Sequence, residues 1–243
     1  LRYYARMIEV YGVTLHLRTV VNAGLLAEHK FDEIVMATGI KPRHWDIDGS
    51  EHKKVMSYID VLRDHKPVGQ KVAIIGAGGI GFDVAEFLVE NEALTTHLDE
   101  WLAHWGIDKT VTHPGGLTAP KISEVNREVY LLQRKSSKVG AGLGKTSGWV
   151  HRASLAHHKV QMINSVEYVK VDDAGLHINI QGKPRVLDVD NVIVCAGQEP
   201  LRELHEGLLS LSIPVHIIGG ADVAAELDAK RAIRQGAELA AKI

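Results

Sequence analysis

Cysteine is nearly absent from this 243-residue sequence: its only cysteine, Cys195, lies inside the apolar stretch "NVIVCAG". One cysteine excludes an internal disulfide, a CxxC redox pair and a thiolate metal cluster built from this chain alone. The formal net charge is only -2, which gives no general reason to expect a nucleic acid or a membrane surface as partner. The sequence also has no run of about 18 apolar residues that could cross a bilayer. We therefore expect a cytoplasmic protein whose partners are small molecules or other proteins.

The composition is that of an ordinary globular protein, with 45% hydrophobic and 24% charged residues. A chain of this length forms one large or two small domains. Its first residues, "LRYYARMIEVYG", contain neither an initiator methionine nor the pattern of a signal peptide, and they predict a helix over residues 1–11. We expect the chain to be part of a longer protein.

One glycine-rich stretch, "VGAGLGKTSGW" at residues 139–149, resembles the phosphate-binding loop of ATP hydrolases. That loop requires a glycine five positions before the Gly-Lys-Thr triplet, and this position is occupied by Val139. The backbone N–H groups of such a loop must stand at fixed spacing, so the displaced glycine removes the cradle. We interpret residues 140–148 as a mobile turn that leads into a helix over residues 148–158.

A second glycine-rich stretch, "VAIIGAGGIG" at residues 72–81, matches the dinucleotide-binding pattern GxGxxG. It follows an apolar strand signal over residues 71–75 and precedes apolar residues at helical intervals in "IGFDVAEFLVE". The first glycine allows the tight turn, the second lets a pyrophosphate approach, and the third lets the helix pack on the strand. The residues expected to bind the dinucleotide here are Gly76, Gly78, Gly79, Ile80 and Gly81.

The end of the next strand indicates which nicotinamide cofactor is preferred. Residues 91–126 form an apparent insertion, and the strand "REVYLLQRKSSK" that follows it ends in Gln133, Arg134 and Lys135 without a carboxylate. An NAD-binding unit places Asp or Glu at this point to hold the ribose 2′-hydroxyl, whereas Arg and Lys suit a 2′-phosphate. The pattern favours NADPH over NADH. The alternative is that both cations lie in a solvated loop.

An internal repeat indicates two copies of one structural unit. The stretches "FDEIVMATGIKP" at 31–42 and "VDNVIVCAGQEP" at 189–200 share three positions: Asp32 with Asp190, Gly39 with Gly197, and Pro42 with Pro200. Short alternating stretches, "VTLHLRTVV" and "GLHINIQGKPRVLDV", precede the two copies and predict a β-meander in each. The first copy has no glycine turn within the sequence, so we expect that turn to precede Leu1.

The order of these motifs resembles the pyridine-nucleotide:disulfide oxidoreductases, a class of flavoproteins with two dinucleotide-binding domains. Within this class, "KPVGQKVAIIGAGGIGFDVAEFL", "LLQRKSSKVGAGLGKTSGWVHR" and "DNVIVCAGQEP" resemble the C-terminal part of bacterial NADPH-dependent 2,4-dienoyl-CoA reductases, which act in unsaturated fatty-acid β-oxidation. The resemblance covers nearly the whole chain. It implies that NADPH reduces FAD, and that electrons then pass through a 4Fe-4S cluster to FMN in an N-terminal barrel outside this chain. We expect this chain alone to be inactive and to hold FAD weakly.

The resemblance also implies a set of flavin contacts: Thr38 and Gly39 of "ATG", and Gly220 and Asp222 of "GGAD". Asp222 would bind a ribityl hydroxyl of the flavin, and the helix expected in "VAAELDAKRAIRQG" would point its N-terminus at the flavin. The alternative role of Asp222 is to cap that helix, and both roles are compatible. Gly197 and Pro200 would shape the loop near the nicotinamide.

The fold class expected is α/β, with a Rossmann-like NADPH-binding domain inserted in a partial FAD-binding domain, each with a parallel sheet and a β-meander. Residues 1–66 and 198–243 would form the incomplete FAD domain, and residues 67–197 the NADPH domain. We expect no metal site, and the neighbours His157 and His158 to line solvent. Two other functions stay open: a related flavoenzyme acting on another enone or a sulfur substrate, and a non-catalytic ADP-binding module.

Overall fold

The computed structural model of this protein describes residues 1–90, 94–122, 126–225 and 228–243. The chain forms two compact units, one comprising residues 1–41 with 198–243 and the other residues 42–197. These divisions fall after residues 41 and 197. The sequence predicts domain boundaries after residues 66 and 197.

The inserted unit is built on a five-stranded parallel sheet, whose strands in spatial order are β3 (Val55–Ser57), β10 (Asn191–Val194), β4 (Lys71–Ile75), β5 (Glu128–Leu132) and β6 (Gln161–Ile163). An antiparallel meander of β7 (Val166–Asp172), β8 (Gly175–Ile180) and β9 (Lys183–Leu187) lies outside this sheet. The elements of this unit in chain order are β3 (Val55–Ser57), α3 (Tyr58–Leu62), β4 (Lys71–Ile75), α4 (Gly79–Val89), α5 (Leu98–His104), β5 (Glu128–Leu132), α6 (Gly148–His157), β6 (Gln161–Ile163), β7 (Val166–Asp172), β8 (Gly175–Ile180), β9 (Lys183–Leu187) and β10 (Asn191–Val194). Helices α1 and α2 and strands β1 and β2 belong to the other unit, which is described below.

Two apolar cores cover the two faces of the parallel sheet. Alternate residues of a strand point to opposite faces, and in β4 Val72 and Ile74 pack with α4 and α6 while Ala73 and Ile75 pack against the meander. Residues on both faces of β4 and β5 are fully buried, which explains why these strands have continuous apolar sequences. The expected α/β class, with a parallel sheet and an antiparallel meander, is confirmed.

The other unit is smaller and is built from short elements. They are α1 (Arg2–Val10), α2 (Ala23–Glu28), β1 (Ile34–Met36), β2 (Ile40–Pro42), β11 (Gln198–Pro200), α7 (His205–Leu209), β12 (Val215–Ile217) and α8 (Ala229–Ala240). Strand β1 pairs in parallel with β12, and β2 pairs with β11. The helix predicted over residues 1–11 is confirmed as α1. Within the described residues, no helix is both long and apolar enough to pass through a bilayer.

Two elements expected in the smaller unit differ from the structure. The stretch "VTLHLRTVV" forms no strand, because Val13, Leu15 and Leu17 remain more than half exposed and no described segment pairs with them. The late helix begins only at Ala229, capped by Asp228, whose side chain accepts a hydrogen bond from Arg231 N. Residues 226–227 of that expected helix lie outside the described residues.

The internal repeat has a structural counterpart in each unit. Gly39 and Gly197 both adopt left-handed backbone conformations, with φ of 81° and 92°. In one unit the carbonyl of Gly39 accepts a hydrogen bond from Leu201 N at 3.0 Å, and in the other the carbonyl of Gly197 accepts one from Arg43 N at 3.2 Å. Leu201 directly follows Pro200, and Arg43 directly follows Pro42. The glycine of each Gly-x-x-Pro stretch therefore accepts a hydrogen bond from the residue after the proline of the other stretch.

The expected insertion lies between α4 and β5. It therefore separates, along the chain, the strands β4 and β5, which are direct neighbours in the sheet. Its described part, residues 94–122, contains α5 and two short 3-10 turns, and it contributes an isolated bridge between Ile107 and Leu117. Residues 91–93 and 123–125 of the insertion lie outside the described residues. The described part adds no strand to the parallel sheet.

Candidate dinucleotide site

The glycine turn at residues 76–81 connects the buried strand β4 to helix α4, as its spacing predicts. Gly76 has a φ of 104°, and a Cβ atom there would lie 2.9 Å from the carbonyl oxygen of Cys195. A Cβ atom at Gly81 would lie only 1.8 Å from the carbonyl oxygen of Gly76. The helix therefore packs against its own preceding turn at a distance that only glycine permits.

The middle of the same turn is open instead of crowded. A Cβ atom at Gly78 or Gly79 would meet no other atom within 4 Å. Gly78 is the N-cap of α4 and offers no side-chain cap, and the first N–H groups of any helix lack partners within the helix. An uncapped helix N-terminus at the end of a buried strand, with open space beside it, fits a pyrophosphate group.

Arg134 and Lys135 follow β5, the strand next to β4, at the same edge of the sheet as the glycine turn. The register places Leu132 opposite Ile75, and Gly76 N donates to the carbonyl of Leu132 at 2.9 Å. Both cationic side chains are exposed. The strand end therefore brings two positive charges to the edge that carries the open helix N-terminus.

A cavity of about 780 Å³ opens beside the end of β5. Its lining includes Arg134, Ser136 and Arg43 but not Lys135. The phenol of Tyr168 also lines it, and burial raises the pKa of Tyr168 while the charge of Arg134 acts in the opposite direction. Tyr168 is therefore a neutral hydroxyl at ordinary pH. The charged side chains of the cavity wall are Arg43, Arg134, Asp46 and Glu167.

Strand β10 brings Cys195, Ala196 and Gly197 to the other side of the glycine turn. Cys195 N donates to the carbonyl of Ile75 at 2.8 Å, and an added Cβ at Gly76 would also lie 3.1 Å from the Cα of Ala196. Burial raises the pKa of the Cys195 thiol to about 12. The thiol is thus neutral and unsuited to act as a nucleophile or redox group.

The stretch that resembles an ATP loop is packed against the dinucleotide-type helix. Val139 is buried, and a Cβ atom at Gly140 would lie 2.7 Å from the ring of Phe82 in α4. The carbonyl of Gly140 accepts hydrogen bonds from Arg152 Nη1 and Leu143 N, and the carbonyl of Gly144 accepts one from Gly148 N. The stretch leads into α6 as expected. Its ends at Val139, Gly140 and Gly148 are buried, and most of the residues between them are exposed.

In the smaller unit, the residues expected to contact a flavin lie close to one another at the ends of β1 and β12. Thr38 donates its hydroxyl to the carbonyl of Leu201 at 2.5 Å, and a Cβ atom at Gly220 would lie 3.2 Å from the carbonyl carbon of Gly39. Since β1 and β12 are parallel, Thr38 and the loop that starts at Gly219 leave the same edge. The close approach of two backbone segments explains the glycine at position 220.

Asp222 does not cap the following helix, because α8 begins seven residues later and has its own cap, Asp228. Its carboxylate instead accepts a hydrogen bond from Gln235 Nε2 of α8 at 2.7 Å. Gln235 also accepts a hydrogen bond from Gly219 N at 2.7 Å, and Arg202 donates to the carbonyl oxygens of Ala221 and Asp222. The carboxylate of Asp222 is thus held by a side chain that also fixes the start of its loop.

Three histidines form a cluster where α5 meets the end of α6. His104 and His158 are each 4% exposed, with ring centroids 5.5 Å apart, and His157 lies 5.2 Å from Trp105. The expectation that this histidine pair lines solvent is therefore wrong for His158. Burial lowers the pKa of His104, and the nearby His158 and His157 lower it further. In the described part of the chain, no group of three side chains is arranged to hold a metal ion.

Several polar residues that organise these sites were not predicted. Gln133 and Asn164 hold the turn that carries Arg134, and Gln235 and Arg202 hold the loop of Asp222. Each contacts backbone atoms or side chains through the folded structure, and in the sequence each is an unremarkable polar residue. Of these four residues, only Gln133 directly precedes a predicted site residue, Arg134.

The profile of the family described as pyridine nucleotide-disulphide oxidoreductase matches residues 4–228. Among curated proteins, a metal reductase of Desulforamulus reducens is 26% identical, over 80% of this chain and 28% of the relative. A cinnamate reductase of Clostridium sporogenes is 25% identical, over 84% of this chain and 26% of the relative. The solved structure of a 2-naphthoyl-CoA reductase matches with a TM-score of 0.76 and 24% identity, over 100% of this chain and 31% of that one. This chain thus spans only about a third or less of the length of these proteins.

Proposed function

Because this chain belongs to the pyridine nucleotide-disulphide oxidoreductase family, we propose that it is the NADPH- and FAD-binding module of a larger reductase. The observation that carries this proposal is the edge of the parallel sheet in the inserted unit. It combines an open, uncapped helix N-terminus at Gly78 with Arg134 at the end of the neighbouring strand, where an NAD-preferring unit has an acidic residue.

In this proposal the bound nucleotides supply the redox chemistry, as hydride transfer from the nicotinamide to the flavin. The residues of the chain bind and orient. Backbone N–H groups of Gly78, Gly79 and Ile80 would hold the pyrophosphate, and Arg134 and Lys135 would hold the 2′-phosphate. No side-chain acid or base is needed for hydride transfer, which agrees with the neutral state of the partly buried Cys195.

In this proposal the loops of the smaller unit bind the flavin. The backbone at Gly220 lies close to that of Gly39, and the hydroxyl of Thr38 is held by a hydrogen bond. The carboxylate of Asp222 is 38% exposed, and Gln235 holds one of its oxygens. We propose that the other carboxylate oxygen accepts a hydrogen bond from a ribityl hydroxyl, and that Gly197 and Pro200 lie near the nicotinamide.

The substrate of the whole protein is a conjugated carbonyl compound in this proposal. Cinnamate and 2-naphthoyl-CoA, which the names of two similar proteins contain, both carry a carbonyl conjugated to carbon–carbon double bonds. A 2,4-dienoyl-CoA has the same feature and is our specific proposal, with another enone as the alternative. FMN and a 4Fe-4S cluster would be bound by other parts of the protein, since this chain has one cysteine.

Replacing Arg134 with glutamine tests the cofactor assignment. A charge-assisted hydrogen bond contributes about 1.5–3 kcal/mol, so we expect the affinity for NADPH to fall roughly 10- to 150-fold. The affinity for NADH, which has no 2′-phosphate, should change little. Calorimetric titration of the chain with each nucleotide measures both values.

Lys135→Gln is the matched control, since it removes a neighbouring charge that does not line the cavity. We expect a smaller loss of NADPH affinity, because an ammonium lacks the two-pronged geometry with which a guanidinium binds a phosphate. Equal losses of NADPH and NADH affinity in Arg134→Gln would contradict the 2′-phosphate assignment. They would favour the view that both cations lie in a solvated loop.

A further inference from the structure

The turn that carries Arg134 and Lys135 is held by the side-chain amide of Gln133. Its Nε2 donates to the carbonyl oxygens of Lys135 at 3.0 Å and Ser137 at 2.8 Å, and it also lies 3.2 Å from Ser137 Oγ. The backbone of Gln133 is fixed as well, since its N–H donates to Ile163 and its carbonyl accepts from Val166. One amide on a fixed backbone therefore binds the turn at two points, the carbonyls of Lys135 and Ser137.

A second amide reaches the same turn from the loop after β6. Asn164 Nδ2 donates to the carbonyl oxygens of Ser136 at 3.1 Å and Ser137 at 3.3 Å. The next residue, Ser165, donates its N–H to the carbonyl of Lys135 at 3.1 Å and has a φ of 56°, an unfavourable conformation for a residue other than glycine. The three consecutive carbonyls of this turn are thus all bonded by residues on neighbouring strand ends.

We infer that Gln133 and Asn164 are positioning residues that determine cofactor specificity: by binding the carbonyls of residues 135–137 they present Arg134 to the 2′-phosphate of NADPH. The inference rests on the proposed function. The physical reason is twofold. Carbonyl oxygens that are free to rotate toward the nucleotide would repel a phosphate, and an arginine on a fixed backbone loses less conformational entropy when it binds.

The experiment uses Gln133→Met and Asn164→Leu, which keep the approximate side-chain volume and remove the amide group that donates to the turn. The measured quantity is the ratio of the dissociation constants for NADH and NADPH, obtained by titrating the whole chain. The loss of one or two hydrogen bonds predicts that each variant lowers this ratio about three- to tenfold, through weaker NADPH binding. If the two residues had a purely structural role, their replacement would weaken the binding of NADH and NADPH equally. The ratio of dissociation constants would then stay unchanged, which would overturn the inference.

Two further variants complete the test. Gln161→Met removes a glutamine hydrogen bond to Glu128 in the same sheet, at the start of β6 and away from the turn, and should leave the ratio unchanged. In an Arg134→Gln background, Gln133→Met should have no additional effect on the ratio, because both act through the same contact. An additive effect would overturn the inference.

The outcomes separate the inference from the proposed function. If Arg134→Gln itself leaves the ratio unchanged, the 2′-phosphate assignment fails and the inference fails with it. If Arg134→Gln lowers the ratio while Gln133→Met and Asn164→Leu do not, the cofactor assignment stands and only the positioning role is overturned.

Discussion

Replacing Gly81 with alanine is expected to abolish dinucleotide binding and to destabilise the inserted unit. The added Cβ would lie 1.8 Å from the carbonyl oxygen of Gly76, a backbone atom that cannot move without shifting the turn. Steric overpacking of this kind costs about 1–3 kcal/mol, and contact with backbone places the effect at the upper end or beyond. Denaturant unfolding and NADPH titration of the variant measure the two consequences.

Two other glycines separate the effect on folding from the effect on binding. Gly78→Ala adds a Cβ that meets no atom within 4 Å, so the unfolding free energy should stay close to that of the parent chain while NADPH binding weakens. Gly236→Ala in α8 has equally open surroundings and should leave binding unchanged. Full NADPH affinity in Gly78→Ala would mean that the pyrophosphate does not approach this turn.

Phe82→Ala is expected to have the second large effect, on stability. Phe82 is 1% exposed in the core between α4 and the sheet, and its ring supports Gly140 in the stretch that resembles an ATP loop. Removing a buried phenylalanine ring costs about 3–5 kcal/mol of unfolding free energy. Chemical denaturation monitored by circular dichroism measures the loss.

Lys145→Ala is the comparison for Phe82→Ala, because Lys145 would be the phosphate-binding lysine if residues 139–149 bound ATP. We expect this exposed residue to contribute little to the unfolding free energy and nothing to NADPH binding. Mg²⁺-dependent ATP hydrolysis by the chain that is lost in Lys145→Ala would show that the loop is catalytic. A Phe82→Ala variant as stable as the parent would contradict the packed arrangement.

Local patterns predicted the parts of the fold that depend on local geometry. The spacing of Gly76, Gly78 and Gly81 predicted the order of strand, turn and helix, because each glycine answers a steric requirement within a few residues. The repeated Gly-x-x-Pro motif predicted two related copies, and Gly39 and Gly197 have matching backbone conformations. The fold class followed from these two patterns.

The differences arise where contacts between distant segments decide the structure. Residues 42–66 join the inserted unit because β3 pairs with β10, about 135 residues further along the chain, as Met56 does with Ile193. The alternating residues 13–21 have the pattern of a strand but no described pairing partner. His158 has a polar sequence context, yet the insertion covers it.

The candidate site was predictable to a similar extent. The glycine turn and Arg134 could be proposed from spacing, since both lie at fixed positions relative to consecutive strands. The amides of Gln133 and Asn164 could not, because their role depends on the carbonyls of a turn that only the folded loop brings within reach. The start of α8 was also missed, since Asp222 and Asp228 are equally plausible caps in the sequence.

The most direct test of this account is calorimetric titration of the unmodified chain with NADPH and with NADH. We expect saturable binding of one nucleotide per chain, with NADPH bound at least about tenfold more tightly through its 2′-phosphate. The absence of saturable binding for both nucleotides would contradict the assignment of the glycine turn as a dinucleotide site.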